Sequence, residues 1–500
     1  MKKILGVTMG RSLRVFWRLH ETLSQTTTLA PPALFVADSM EFDKLASGLA
    51  GIEKASLLKE WELMRQAENA DFDLDRLAAW QETLHTSLWN ALLADRRIFF
   101  GRLCKVKQDY APHFSEEQLG AIALIFLDRI DAFLEAEAPD LVLSFGTTTL
   151  GDYLFELLAR RRGIPYAQLK ATKVSNRVAF IDTGLDVPKR WAQKLNSDWE
   201  PTAEQLQEAR DYLQSVRSHG VRYEGAILFS RSRMMSRLVK APVALARSAY
   251  TELRRRRNPV YRNDNHISPP LPGAWYTNVV HPVRTYLLGK RFKFLGLQDV
   301  KALGRFIFFP LHFEPEVAVQ VFGKPYQNQI ETVRQLALSV PLGVRILVKE
   351  HPRSLGFRPP GYYRRLLDIP NVRLADPFLS ASSIVKHAEL VTVISGSIGL
   401  EGAVNQKPVA VLGKTPYQLL PDSMVRAIDS GLGMSEALDR LRNEHVHDEA
   451  ALERYIAMII SESVPANLYS GLLGKEGRYV EKQEEMKKSY ALLADAISRL

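Results

Sequence analysis

The sequence predicts an α/β protein made of two parallel sheets, each covered by helices. Five hundred residues with 46% hydrophobic content exceed what one core usually supports. Short aliphatic runs alternate with helical spacing in two series, one before residue 200 and one after residue 300. Between them the composition shifts to an arginine-rich stretch followed by a Pro, Asn and Gly segment.

The first series opens with two strands, "KILGVTM" and "ALFVADS" at 33–39, each ending in small or polar residues. The pattern from Phe42 to about Tyr110 is largely helical. The segment "SEEQLGAIALIFLDRIDAFLEAEAPD" is a helix with a capping box from Ser115 to Gln118 and a stop at Pro139. Next, "DLVLSFGTTTLGDYLFELLARRRGIPYAQL" reads as a βαβ unit with a Gly163 stop. A helix from Thr202, boxed by Gln205, runs to Gly220. The basic stretch from 231 to 257 is expected as helices broken at Pro242, and 258–274 as a loop or linker.

After a helix around 279–290 the second series follows. It holds strands in "RFIFFPLHFEPE", "VRILVKEHP", "NVRLADP", "ELVTVISGSIGLEGAV" and "KPVAVLG", with helices at 326–340 and 379–388 and after Ser397. Strands separated by helices form parallel sheets covered on both faces. The expected architecture is therefore two facing Rossmann-like domains with helical insertions in the N-terminal half. Residues 1–275 form the acceptor side and 276–475 the nucleotide side, and a helix in 476–500 packs back on the N-terminal domain.

Lys and Arg outnumber Asp and Glu by 66 to 56, a formal charge of +10, which favours anionic partners. A single cysteine, Cys104, excludes internal disulfides and cysteine-based zinc sites, and fits a reducing compartment such as the cytoplasm. The apolar run in "MKKILGVTMGRS" is too short for a signal peptide, and "AIALIFL" at 121–127 is broken by Asp128 and Arg129, far short of the ~20 residues that span a bilayer.

Three strand ends carry polar chemistry. In an open parallel sheet, ligands bind beyond the carboxyl ends of the strands. There "ILVKEHPRSLG" (346–356) places Lys349, Glu350, His351 and Arg353, with Pro352 fixing the turn. In "VTVISGSIGLEGAV", Ser395, Gly396 and Ser397 precede a helix N-terminus suited to phosphate, and Glu401 sits one turn in, where it suits a ribose hydroxyl. In "FFPLHFEPE", His312 and Glu314 face the same cleft. A second His-Pro pair, His281 and Pro282, follows the linker and reads as structural. "DFDLD", with Asp71, Asp73 and Asp75, lacks the glycine of a calcium loop and reads as a helix start, so no metal site is expected.

In that order and at that spacing, "FPLHFEPE", "LVKEHPR" and "VISGSIGLEGAVNQKPVAVLG" resemble the capsule polysaccharide biosynthesis family over residues 300–415. The resemblance implies a metal-independent GT-B glycosyltransferase of bacterial surface polysaccharide assembly. Its substrate would be a nucleotide sugar, with a CMP-linked acidic sugar such as Kdo as donor and a lipid-linked or polysaccharide acceptor. It implies that His351 and Pro352 grip the nucleotide and Ser395 and Ser397 its phosphate, assisted by Lys349 and Glu401. An acidic group from the opposite domain would assist the acceptor, and Asp38, Asp152 and Glu156 are the candidates. UDP-sugar epimerases, CDP-polyol phosphotransferases and non-catalytic nucleotide- or glycan-binding components of an assembly complex are the competing readings. The region Arg231–Arg257 interleaves apolar and basic residues as an interfacial helix does, so peripheral contact with an anionic inner membrane is a further expectation. No nucleic-acid-binding motif occurs.

Overall fold

Two sheets organise the computed structural model, which describes residues 3–104, 106–108, 113–221, 231–262, 264–428, 433–474 and 483–500. The C-terminal one is parallel throughout, and the N-terminal one is parallel except where the strand Arg177–Ile181 runs antiparallel to its neighbours. The N-terminal sheet contains β1 (Ile4–Thr8), β2 (Ala33–Val36), β3 (Ser56–Lys59), β4 (Leu141–Ser144), β5 (Tyr166–Ala171) and β6 (Arg177–Ile181). The C-terminal sheet contains β7 (Phe306–Pro310), β8 (Arg345–Lys349), β9 (Val372–Ala375), β10 (Leu390–Val393), β11 (Val409–Val411) and β12 (Val425–Ala427). A short strand, β13 (Val464–Pro465), returns to the N-terminal sheet and pairs antiparallel with β6.

The strand orders are β13-β6-β5-β4-β1-β2-β3 and β12-β11-β10-β7-β8-β9. In each sheet the chain winds outward from its first strand, then returns to that strand's other side, as in a doubly wound fold. The reversal lies between β1 and β4 in one sheet and between β7 and β10 in the other. Both faces are covered, so the strands read as continuous aliphatic runs: β7 and β8 bury Phe306, Ile307, Phe308, Phe309, Ile346, Leu347 and Val348.

Three expected elements differ. The strand β3 lies inside a region that reads as helical, because "SLLK" is too short to show period two and its pairing with β2 decides it. The helix Arg231–Arg256 runs through Pro242. The helix packs against the helices of 270–291, and beyond the proline Glu252 accepts the Leu271 N–H at 3.3 Å, so the helix resumes after losing one backbone bond. The segment 258–274 is partly helical, with a 3-10 turn at Pro259–Arg262 and a helix at Pro270–Trp275, where proline suits the first turn.

The C-terminal chain ties the two halves together. In the helix Glu449–Ser461, Tyr455, Ile456 and Ile459 share one buried cluster with Tyr212 and Leu213 of the helix Ala203–His219 and with Val391 and Val409 of the C-terminal sheet. Arg217 adds a pair to Glu449 at 2.6 Å and donates to the Val404 carbonyl at 2.9 Å. The helix Gln483–Ser498 buries Leu493 and Ile497 against Val15 and Leu19 of the helix Ser12–Leu23.

The helix Leu150–Arg161 starts where it can lie close to β2, because Gly151 faces the fully buried ring of Phe35. A Cβ built there would stand 2.4 Å from Phe35 Cζ. Gly151→Val is therefore expected to cost about 1–3 kcal/mol through overpacking, measured as a lower urea midpoint with an unchanged slope.

Candidate functional site

The reversal between β7 and β10 opens a crevice beyond their carboxyl ends, and three loops meet there. The loop after β7 brings His312, Glu314 and Glu316, the loop after β8 brings His351, Pro352 and Arg353, and the turn after β10 brings Ser395, Gly396 and Ser397. Because β7 lies between β10 and β8, both outer loops converge on His312.

His312 is fixed on every side. Its N–H donates to Gln329 Oε1 at 2.7 Å, and its carbonyl accepts from Gln329 Nε2 at 3.1 Å and from Arg358 Nη2 at 2.6 Å. Its Nε2 accepts the Ser395 N–H at 3.4 Å, which leaves the ring proton on Nδ1. Burial, followed by the charges of Lys173 and Arg358, holds the imidazole neutral, down at about 3. Gly396 lets the ring approach the turn: a Cβ there would meet His312 Cε1 at 3.1 Å.

His351 is exposed at the mouth of the crevice. Its Nδ1 accepts the Arg353 N–H at 3.2 Å, so this tautomer carries the proton on Nε2. The protein atoms crowded about it, and then the charge of Lys349, hold it neutral at about 4. Arg353 is exposed too, with its guanidinium 4.8 Å from the centre of the Phe313 ring. Of the two serines, Ser395 donates its hydroxyl to the Ala318 carbonyl at 2.8 Å, whereas Ser397, at the N-cap of the helix Ile398–Val404, makes no capping bond.

Several expected ligand groups face inward instead. Lys349 is buried and donates to the Pro377 carbonyl at 2.9 Å, and burial brings its amine down to about 8. Glu314 and Glu350 both bind Arg358, a fully buried residue that the sequence reading did not single out. Its Nη1 lies 2.6 Å from Glu314 Oε1 and its Nε 2.8 Å from Glu350 Oε2, and Tyr363 adds a hydroxyl to Glu350 at 2.9 Å. The two glutamates are struts of the crevice wall.

Glu401 accepts from the Ser382 hydroxyl and the Val221 N–H. It borders a cavity of about 290 Å³, lined by Gly220, Lys301, Ser380, Ser382, Ser383 and Lys386 among others. Four residues of helix separate Glu401 from Ser397, about 6 Å of rise.

The expected acidic groups of the N-terminal domain are all engaged. Asp38 caps the helix Ser39–Ala46 through the Glu41 N–H at 2.9 Å. Asp152 is buried under Thr148, whose N–H and hydroxyl reach its Oδ2 at 3.1 and 3.2 Å, and burial pushes its carboxyl up to about 7. Glu156 is fully buried between Arg160, Thr183 and the Gly184 N–H. Asp73 is likewise a cap, accepting the Arg76 N–H at 3.0 Å.

What the N-terminal domain presents to the crevice is cationic. Lys173, in the β5–β6 turn, has φ of 63°, a left-handed conformation that costs a non-glycine residue and is often kept at functional sites. Its charge acts on both His312 and Glu316. Arg96 donates to the Pro315 carbonyl at 2.7 Å, and Lys324 reaches back to the Tyr153 hydroxyl at 2.9 Å. Glu316 is exposed between these cations and Arg353; desolvation raises its carboxyl, while Lys173, Arg96 and Arg353 lower it. "FEPE" offers two glutamates, and only the fold shows that the first turns inward and the second stays open.

Residues 234–421 match the family described as Capsule polysaccharide biosynthesis protein. No curated protein matches the chain. Among solved structures it is similar to the KpsC β-Kdo 2,4-transferase of Thermosulfurimonas dismutans, at 15% identity over 64% of this chain and 80% of that one, with a TM-score of 0.37. The β-Kdo 2,7-transferase of the same organism aligns at 13% identity over 74% and 87%, with a TM-score of 0.35. The UDP-GlcNAc 2-epimerase of Neisseria meningitidis bound to UDP-GlcNAc aligns at 14% identity over 92% and 98%, with a TM-score of 0.26.

Arg358→Met leaves two buried carboxylates without their cation and is expected to destabilise the protein by about 3–5 kcal/mol; adding Glu314→Gln and Glu350→Gln should restore part of the loss in urea unfolding. A second expectation concerns acid. His312 is neutral when folded and ordinary when unfolded, so its contribution to stability is complete above pH 6.5 and fades as pH falls toward about 3. His312→Gln should make the fall in unfolding free energy shallower across that window by up to about 1.4 kcal/mol per pH unit, read from urea titrations at several pH values.

Proposed function

We propose, from the place of residues 234–421 in the capsule polysaccharide biosynthesis family, that the protein is a glycosyltransferase of surface polysaccharide assembly. It uses a nucleotide sugar, with a CMP-linked acidic sugar such as Kdo as donor and a lipid-linked or glycan acceptor, and so works at the inner face of a membrane.

The observation that carries this reading is the convergence of His351 and Ser397 on either side of His312 at the strand-order reversal. An Nε2–H from His351, the Ser397 hydroxyl and the positive charge of Arg353 suit a phosphate that gains negative charge as the sugar leaves. The serine-lined cavity, one helical turn away, suits the ribose and base, while Glu401 is buried behind it holding Ser382. In the transfer, the bond between the anomeric carbon and the phosphate oxygen breaks and the acceptor oxygen takes its place. Glu316 receives the proton of the acceptor hydroxyl, with Lys173 closing the crevice from the other domain.

Calorimetry with CMP, CDP, UDP and GDP tests the donor class. Selective CMP binding, weakened about tenfold or more in His351→Ala by loss of a charge-assisted hydrogen bond, is the expected result. Preference for UDP or CDP would move the protein to the epimerase or phosphotransferase readings, and no binding would leave a non-catalytic component. Glu316→Gln should keep nucleotide affinity and lower turnover by about 10²-fold or more; undiminished turnover would remove Glu316 from the mechanism.

A further inference from the structure

Two neighbouring helical segments, Arg231–Arg256 and 270–291, expose apolar side chains on the faces turned away from the protein. In the first, Met234 and Ala241 are buried, while Val239, Val243, Tyr250 and Leu253 are exposed, Val239 by 84% and Tyr250 by 68%. At 100° per residue these four fall within an arc of about 80°, opposite the buried pair. The second repeats the pattern: His281, Pro282 and Thr285 are buried, while Val283, Tyr286 and Leu287 are exposed, preceded by exposed Leu271 and Trp275.

Single exposed apolar residues are ordinary, but nine of the eighteen large apolar side chains exposed among the described residues lie on these two segments. Cations border both stripes. Lys240, Arg247 and Arg254 follow the flank of the first, with Arg256 and Arg257 exposed at its end, and Lys290 and Arg291 are exposed at the end of the second. No helix among the described residues is long and apolar enough to cross a membrane.

The pair of helices is mounted firmly. Between them, Asp264 accepts from the Ser39 N–H at 2.7 Å and from its hydroxyl, and His266 pairs with Glu60 at 3.0 Å, all buried. The second segment also rests on the loop that carries Arg358: Thr285 donates to the Leu355 carbonyl at 3.0 Å, and Gly356 has no room for a Cβ against Thr285 and the His281 carbonyl. The apolar faces thus belong to a platform tied to the N-terminal sheet region and to the crevice wall.

We propose that this pair of helices is a docking surface for an anionic lipid membrane, with the apolar stripes seated at the headgroup boundary and the flanking lysines and arginines on lipid phosphates. The chemistry is that of an interfacial helix, in which apolar area and positive charge act together. It does not depend on which nucleotide the crevice holds. Because the platform leans on the loop after β8, docking would also fix the crevice relative to a lipid-borne acceptor.

Co-sedimentation of the full chain with vesicles of phosphatidylcholine, alone or mixed equally with phosphatidylglycerol, tests this. Binding to the mixed vesicles only, weakened by salt, is expected. Val243→Asp, Tyr250→Asp and Leu253→Asp together should weaken it by more than about tenfold, as should Arg254→Glu, Arg256→Glu and Arg257→Glu together. Five of the six positions lie on the helix Arg231–Arg256 and Arg257 follows its end, so an unchanged melting temperature and unchanged nucleotide calorimetry separate this result from any change in the crevice. No binding to the mixed vesicles, equal binding by the variants, or self-association of the chain that the aspartate variant abolishes would overturn the proposal, the last by assigning the stripe to a second copy.

Discussion

The buried guanidinium of Arg358 is the point from which the crevice is built. It joins Glu314 in the loop after β7 to Glu350 at the end of β8, and both histidines are referred to it. The His312 carbonyl accepts directly from Arg358, and the His351 N–H donates to Glu350 Oε1 at 2.8 Å, the same carboxylate that Arg358 holds. Ions are costly to bury, and this group is kept charged because each partner is bound by more than one neighbour. What the arrangement gains is position: two loops on adjacent strands are locked at one separation, with the Tyr363 hydroxyl and the Gln329 amide closing the remaining valences.

That rigidity matters because the two histidines have fixed tautomers rather than fixed charges. Both are neutral near pH 7, and each has one ring nitrogen committed to a backbone N–H, from Ser395 for His312 and from Arg353 for His351. A neutral imidazole whose proton sits on a known nitrogen is a directed donor and places no cation in the crevice. The positive charge comes instead from Arg353 and, across the crevice, from Lys173 in its left-handed turn. The C-terminal domain thus supplies directed hydrogen bonds and the charge of Arg353, and the N-terminal domain adds that of Lys173.

The connections between the halves keep these contributions in register. The chain crosses from the C-terminal sheet back to the N-terminal one through the helix Glu449–Ser461 and β13, and Arg177 binds the Ile460 and Ser463 carbonyls at 2.9 Å each where that crossing ends. The cationic helices of 231–291 are tied to both domains, through Asp264 and His266 on one side and Thr285 on the other. The basic side chains thus lie partly on an exposed helical surface and partly beside the crevice.

By itself the sequence determined what local pattern can carry. Aliphatic runs alternating with helical spacing marked the two sheets, the Ser115 and Thr202 boxes marked helix starts that the structure reproduces, and strand ends rich in His, Ser and Gly marked the loops of the crevice. Only the tertiary structure decided the direction each polar side chain takes. In "FEPE" and "LVKEHPR" the residues are adjacent, yet Glu314, Lys349 and Glu350 turn inward while Glu316, His351 and Arg353 stay open. The deciding partners are distant in sequence: Arg358 for the two glutamates, the Pro377 carbonyl for Lys349, and Lys173 from the other domain facing Glu316. Glu156 shows the same limit: Asp38 and Asp152 are engaged by the near neighbours Glu41 and Thr148, whereas Glu156 is also held by Thr183 and Gly184, 27 and 28 residues away. A buried polar group must find a partner wherever the fold provides one, and that search is not written in its neighbours along the chain.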